Sequence, residues 1–100
     1  MKEIPFGSFQ ELNKKLKNRK IILFGVGPIA EKTARKINNY EFIVDNNPNM
    51  WDTVEQNKKI LNPNEIQNNS DKYYIIICTT SFIDVSKQLE EFGYIAQDDF

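Results

Sequence analysis

Two stretches of this 100-residue chain combine residue types and spacing that could do chemistry. Gly25-Val26-Gly27-Pro28-Ile29-Ala30 has the form Gly-x-Gly-x-x-Ala, and Asp45 stands 20 residues beyond Gly25. Where such a run carries a strand into a helix, the first glycine takes the tight turn. The second lets backbone approach a diphosphate, and the small third residue lets helix pack closely on strand. Free N–H groups and the dipole at the helix start favour the negative charge, although Pro28 supplies no N–H. A carboxylate such as Asp45, at the end of the next strand, would accept hydrogen bonds from ribose hydroxyls and repel a 2′-phosphate, favouring NAD over NADP. The second stretch, Thr79-Thr80-Ser81, offers hydroxyls to ribose or phosphate. The candidate ligand contacts are therefore Gly25, Val26, Gly27, Pro28, Ile29, Asp45, Asn46, Thr79 and Thr80.

Each of these residues also has a plainer reading. Gly25 and Gly27 could simply shape a strand-to-helix turn, with Asp45 simply ending a strand. Ser81-Phe82-Ile83-Asp84 has the form of a capping box, which makes Ser81 a helix cap before it is a ligand contact. Trp51 could stack on a base or sugar, or pack over the sheet edge or a partner domain. Cys78, the single cysteine, sits in an apolar run and reads as a buried, inert thiol. Histidine is absent, which removes His-dependent nucleophile arrangements and imidazole metal ligands. No residue is assigned a catalytic role and no metal site is expected.

The elements that must position these residues follow from hydrophobic periodicity. Ser8-Phe9-Gln10-Glu11 resembles a capping box and starts a helix over 8–18, with Phe9, Leu12 and Leu16 on one face. Lys20-Ile21-Ile22-Leu23-Phe24 is a continuous apolar run, the form of a strand covered on both faces in a parallel sheet. Ile29, Ala30, Thr33, Ala34 and Ile37 predict a helix over 28–38, with Pro28 in its first turn. Residues 41–45 give a second strand and 46–58 a surface loop. Residues 59–61 give a third strand, followed by a short helix capped by Asn62-Pro63. Residues 73–78 are the most strand-like segment, and Phe82, Val85, Leu89 and Phe92 mark a further helix ended by Gly93. Tyr94-Ile95-Ala96 reads as a fifth strand.

Length and composition set the remaining bounds. One hundred residues, 40% hydrophobic and 27% charged, make one folded domain over 1–100. Residues 1–40 carry nine basic and three acidic side chains, and residues 41–100 carry four basic and eleven acidic, balances of +6 and −7. Lys14, Lys15, Lys17, Arg19 and Lys20 are interleaved with Leu12 and Leu16 at helical spacing, so they read as a solvated helix face rather than a nucleic-acid patch. No apolar run is long enough for a membrane span, and no secretion signal is visible, so the expected compartment is the cytoplasm.

The chain resembles the small Rossmann-like nucleotide-binding domains attached to bacterial glycan-modifying proteins. These include polysaccharide and teichoic-acid assembly proteins, sugar acetyltransferases and FkbM-type methyltransferases. The resemblance rests on Ile22 to Ala30, Phe42 to Pro48 followed by Trp51, Ile60 to Ile66, and Tyr74 to Thr80. A Trp-Gly pair and a later Asn-Gly turn, common in similar domains, are here Trp51-Asp52 and Gln56-Asn57-Lys58. The implied architecture is an α/β three-layer sandwich with a 4–5 stranded parallel sheet, order 3-2-1-4-5, and helices on both faces. The implied function is binding of NAD or a nucleotide-sugar at the carboxyl edge of the sheet.

One hundred residues supply little more than one half of a dinucleotide site. Catalysis is therefore expected in an attached domain, a sugar-modifying transferase or oxidoreductase, with this domain N-terminal to it or cut from it. A homodimer partner could complete the site instead. The alternative is a docking or structural domain that binds no nucleotide.

Overall fold

The computed structural model describes residues 16–37, 39–55 and 57–100. The helix expected over 8–18 lies almost wholly outside them. Strand β1, Lys20–Phe24, is followed by helix α1, Pro28–Ile37, and strand β2, Phe42–Val44. A short 3-10 turn at Pro48–Met50 leads to β3, Val54–Glu55, and β4, Lys58–Leu61. A second 3-10 turn, Pro63–Ile66, precedes β5, Tyr73–Ile77, and helix α2, Phe82–Glu91.

The sheet overturns the expected order. Its five strands run β3-β4-β2-β1-β5, and it is mixed: β4, β2, β1 and β5 are parallel, whereas β3 is antiparallel to β4. The fifth strand is therefore Val54–Glu55, inside the expected loop and on the opposite edge from Tyr94–Ala96. It forms through a two-residue connection to β4 whose second residue, Asn57, has φ +66°. Asparagine and aspartate reach this left-handed region more readily than other side-chain-bearing residues. Asp52, at φ +65°, uses the same tolerance.

Among the described residues Tyr94–Ala96 pairs with no strand, and its polar groups bond elsewhere. The Tyr94 hydroxyl donates to the Ile66 carbonyl at 2.6 Å, and the Ile95 amide donates to Asp99 Oδ2 at 2.7 Å. Asp99 accepts at its own carbonyl from the Ile75 amide of β5, 2.9 Å away, so a turn satisfies part of that edge. Arg19 holds the turn in place. Its guanidinium meets Asp99 Oδ1 at 2.6 Å and donates to the carbonyls of Leu16, Ser70 and Asp98. Arg19 is thus buried rather than part of a solvated face, while Lys17 and Lys20 are exposed.

The apolar run of β1 is buried on both faces. Ile21 and Leu23 pack with Ala30 and Ala34 of α1, Ile43, Ile60 and Cys78. Ile22 and Phe24 face the other way, with Val85 and Leu89 of α2, Val44, Ile66, Ile75 and Tyr94. Burying large aliphatic side chains, at about 1.5–3 kcal/mol each, is the main drive for this arrangement. The small buried residues Ala30, Thr33 and Ala34 allow α1 to lie close to the sheet. Among the described residues, no helix is long and apolar enough to cross a membrane.

Candidate functional site at the carboxyl edge of the sheet

The parallel strands end nearly level, with Phe24 paired to Val44 and Ile77, and Val44 to Leu61. The loops that follow β1, β2 and β5 therefore converge. Between them lies a cleft of about 390 Å³, lined by Phe24, Gly25, Asp45, Asn46, Asn47, Thr79, Ser81 and Val85. Of the sequence candidates, Gly25, Asp45, Asn46 and Thr79 line it. Val26, Gly27, Pro28, Ile29 and Thr80 stand outside the lining.

The two glycines differ in what they permit. Gly25 has φ +117°, and a Cβ there would meet the Cys78 carbonyl oxygen at 3.1 Å and the Thr79 Cβ at 3.2 Å. Its turn is forced by the close approach of the β5 end. Gly27 has φ +133°, with nothing within 4 Å of an added Cβ. Open space lies over Gly27, and Gly27 caps α1 through its carbonyl, which accepts from the Glu31 amide at 3.0 Å.

Asp45 is half-buried and already bonded to the chain. Its Oδ2 accepts from the Val26 amide at 3.0 Å, and its Oδ1 from the Asn47 amide at 2.8 Å. One carboxylate thus ties the end of β2 to the glycine turn and shapes the loop after β2. Trp51 donates its ring N–H to the Asp45 carbonyl at 2.7 Å, so the indole braces the end of β2. Asn47 caps the following 3-10 turn by accepting from the Asn49 amide.

The opposite wall comes from the segment entering α2. Thr79 Oγ1 accepts from the Ser81 amide at 3.2 Å. Ser81 makes no side-chain cap bond, so the expected capping box does not form. Its backbone explains why: ψ of 37° departs from the extended conformation usual at an N-cap. Thr80 and Ser81 are exposed, as are Phe82 and Ile83 at 57% and 61%. Asn46 and Gln88 exchange a reciprocal pair of amide bonds at 2.8 and 2.9 Å, joining the β2 loop to α2. Gln88 carried no sequence signal for this role beyond being polar on a helix.

Cys78 is 2% exposed, and burial pushes its thiol from 9.0 up to about 11, with a hydrogen bond to Thr33 opposing. A thiol held protonated is a poor nucleophile. Among the described residues, no cluster of histidine, cysteine, aspartate or glutamate could hold a metal ion.

These features define a small, mostly parallel sheet domain with a cleft of mixed polar and apolar lining at its carboxyl edge. The family model described as C2185-like, N-terminal, matches residues 17–98, and the chain belongs to that family. No curated protein and no solved structure matches it.

Proposed function

We propose that this domain is a nucleotide-binding module, taking NAD or a nucleotide-sugar, in a larger cytoplasmic protein of glycan assembly. The observation that carries the reading is the carboxylate of Asp45, which lines a cleft and is bonded to a glycine turn at the carboxyl edge of parallel strands. Ligands of open α/β sheets favour this edge because loops and helix starts converge there. Asp45 accepts from ribose hydroxyls, and the hydroxyl of Ser81 adds a donor from the facing wall. The reaction itself belongs to an attached domain or a partner copy, and the N-terminal placement in the family description supports a module set ahead of another domain.

A second reading is favoured by the apolar surface that Phe82 and Ile83 leave exposed at the start of α2. In that reading the domain docks a neighbour and its glycine turn is structural. An NMR shift titration with NAD, NADP, ADP, S-adenosylmethionine and UDP- and CDP-sugars separates the two. Saturable shifts at Gly25, Val26 and Asn47 with NAD or a nucleotide-sugar support the first. Silence at millimolar ligand supports the second.

A further inference from the structure

The geometry points to a second copy of this chain as the partner of the open end of β5, paired with it antiparallel about a two-fold axis. The inference is independent of whether the cleft takes a nucleotide. β5 is an edge strand of the sheet. Its even-numbered residues face β1: the Lys20 amide donates to the Lys72 carbonyl at 2.9 Å, and the Cys78 amide to the Phe24 carbonyl at 2.8 Å. The odd-numbered residues therefore face outward. There the Tyr73 and Ile75 amides donate to the carbonyls of Asn69 and Asp99, at 3.0 and 2.9 Å. Ile77 is the next outward position, and among the described residues nothing bonds its N–H or its C=O. Edge strands usually avoid pairing through charges, prolines or bulges. From Tyr73 to Ile83 the chain has no charged residue and no proline.

Apolar surface accompanies the open stretch. Ile76 and Ile77 are half-buried, one on each face of the sheet. In α2, Val85 and Leu89 face the sheet, and Gln88 lies on the flank bonded to Asn46 beside β2. At about 3.6 residues per turn, Phe82 falls on the opposite flank, on the β5 side, where it is 57% exposed. Length decides the occupant. The turn at Asp99 covers the edge as far as Ile75, so a long strand laid along β5 collides with it. β5 itself stops at Ile77. In an antiparallel pair centred there, each Ile77 N–H donates to the Ile77 carbonyl of the other copy, and each strand ends before it meets the other's turn. The two-fold axis sets both α2 helices antiparallel on one face, with Phe82 of each near the axis, and the uncharged stretch meets itself without opposing like charges. The second copy thereby comes beside Thr79 and Ser81, which line the cleft. A contact this short belongs with the small, weak interfaces, so its dissociation constant is on the order of 0.1 mM.

The test is a concentration series of the full chain. Sedimentation equilibrium between about 10 µM and 1 mM should show the mass rising from one copy towards two and no further. Over the same range, amide hydrogen exchange at Ile77 should slow by about fourfold as its N–H becomes bonded. Phe82→Glu, which charges the exposed flank, should weaken the dimer at least about tenfold while leaving the unfolding midpoint unchanged. Val54→Glu, at the 61% exposed valine of β3 on the opposite edge, should leave the dimer intact. A chain that stays monomeric at about 1 mM overturns the inference, as does a mass that climbs beyond two copies. Association that survives Phe82→Glu, that is lost in Val54→Glu, or that leaves Ile77 exchange unchanged overturns it too.

Discussion

The amide of Val26 donates to Asp45 Oδ2 across 3.0 Å, so the turn after β1 is fastened to the end of β2 by a side chain rather than by the sheet. The same carboxylate holds Asn47 at 2.8 Å. Charge-assisted bonds to backbone amides are stronger than neutral ones, and the part-buried Val26 amide, left unpaired, incurs a desolvation cost that the exposed Asn47 amide escapes by turning to water. Asp45→Ala should therefore destabilise the domain by about 1–3 kcal/mol. Asp45→Asn, which keeps one acceptor oxygen, should cost less. Urea denaturation of the three proteins gives the order, and an Asp45→Ala variant as stable as the parent would remove Asp45 from the framework of the turn.

Gly25 and Gly27 both have positive φ, yet they should respond differently to a methyl group. At either position an alanine is strained, at a cost on the order of 1–3 kcal/mol. At Gly25 the added Cβ also sits 3.1 Å from the Cys78 carbonyl oxygen, where the backbone of the β5 end must give way. Nothing lies within 4 Å at Gly27. Gly25→Ala should thus be less stable than Gly27→Ala by at least about 1 kcal/mol, the usual cost of overpacking. Equal midpoints in thermal unfolding would show that conformation alone, and not the approach to β5, requires glycine at position 25.

What was legible in the sequence was what local pattern dictates. The runs Ile21–Phe24 and Tyr73–Ile77 lie in strands with little polar interruption, and a long apolar run bounded by turn residues leaves few other outcomes. The spacing from Gly25 to Asp45 likewise placed both at one sheet edge. Val54–Glu55 was illegible because it is two residues long, with Val54 61% exposed, so neither length nor alternation marks it. Tyr94-Ile95-Ala96 misled because two strand-favouring residues, Tyr94 and Ile95, after a glycine look the same whether or not a neighbouring edge is open to them. Their fate is set by Arg19 and Asp99, 80 residues apart. The bond from Val26 to Asp45 and the bridge from Asn46 to Gln88 are of the same kind: they depend on which loops meet, which no periodicity records.

Arg19 is the residue on which the end of the chain depends. Its side chain is 5% exposed, its partner Asp99 13%, and its remaining donors reach three backbone carbonyls. Removing one partner of a buried pair strands the other, at a cost of about 3–5 kcal/mol. Arg19→Met, which retains much of the apolar stem, should be destabilised by that order. The Ile75 amide, which donates to the Asp99 carbonyl, should lose hydrogen-exchange protection more than the Ile76 amide. Uniform loss along β5 would mean that Arg19 stabilises the whole sheet and not the turn at Asp99.

Cys78 gives the domain an alkaline sensitivity whose sign is fixed by burial. Its thiol is held up at about 11 in the folded chain, against 9.0 when unperturbed, because the thiolate would lie in the apolar layer beneath α1. Below pH 9 the group is protonated in both states and its contribution is complete. Between 9 and 11 the unfolded chain ionises while the folded chain does not, so stability falls as pH rises, by up to about 1.4 kcal/mol per pH unit. Tyr40, Tyr74 and Tyr94 are also raised, chiefly by burial, and add their own losses at higher pH, so the measurement must be differential. Cys78→Ala has no thiol to ionise but leaves a small void, so it should be less stable than the parent at pH 7, and the gap should narrow from pH 9 to 11. A gap that stays constant across that range would show that the thiol ionises as readily in the folded chain as in the unfolded one.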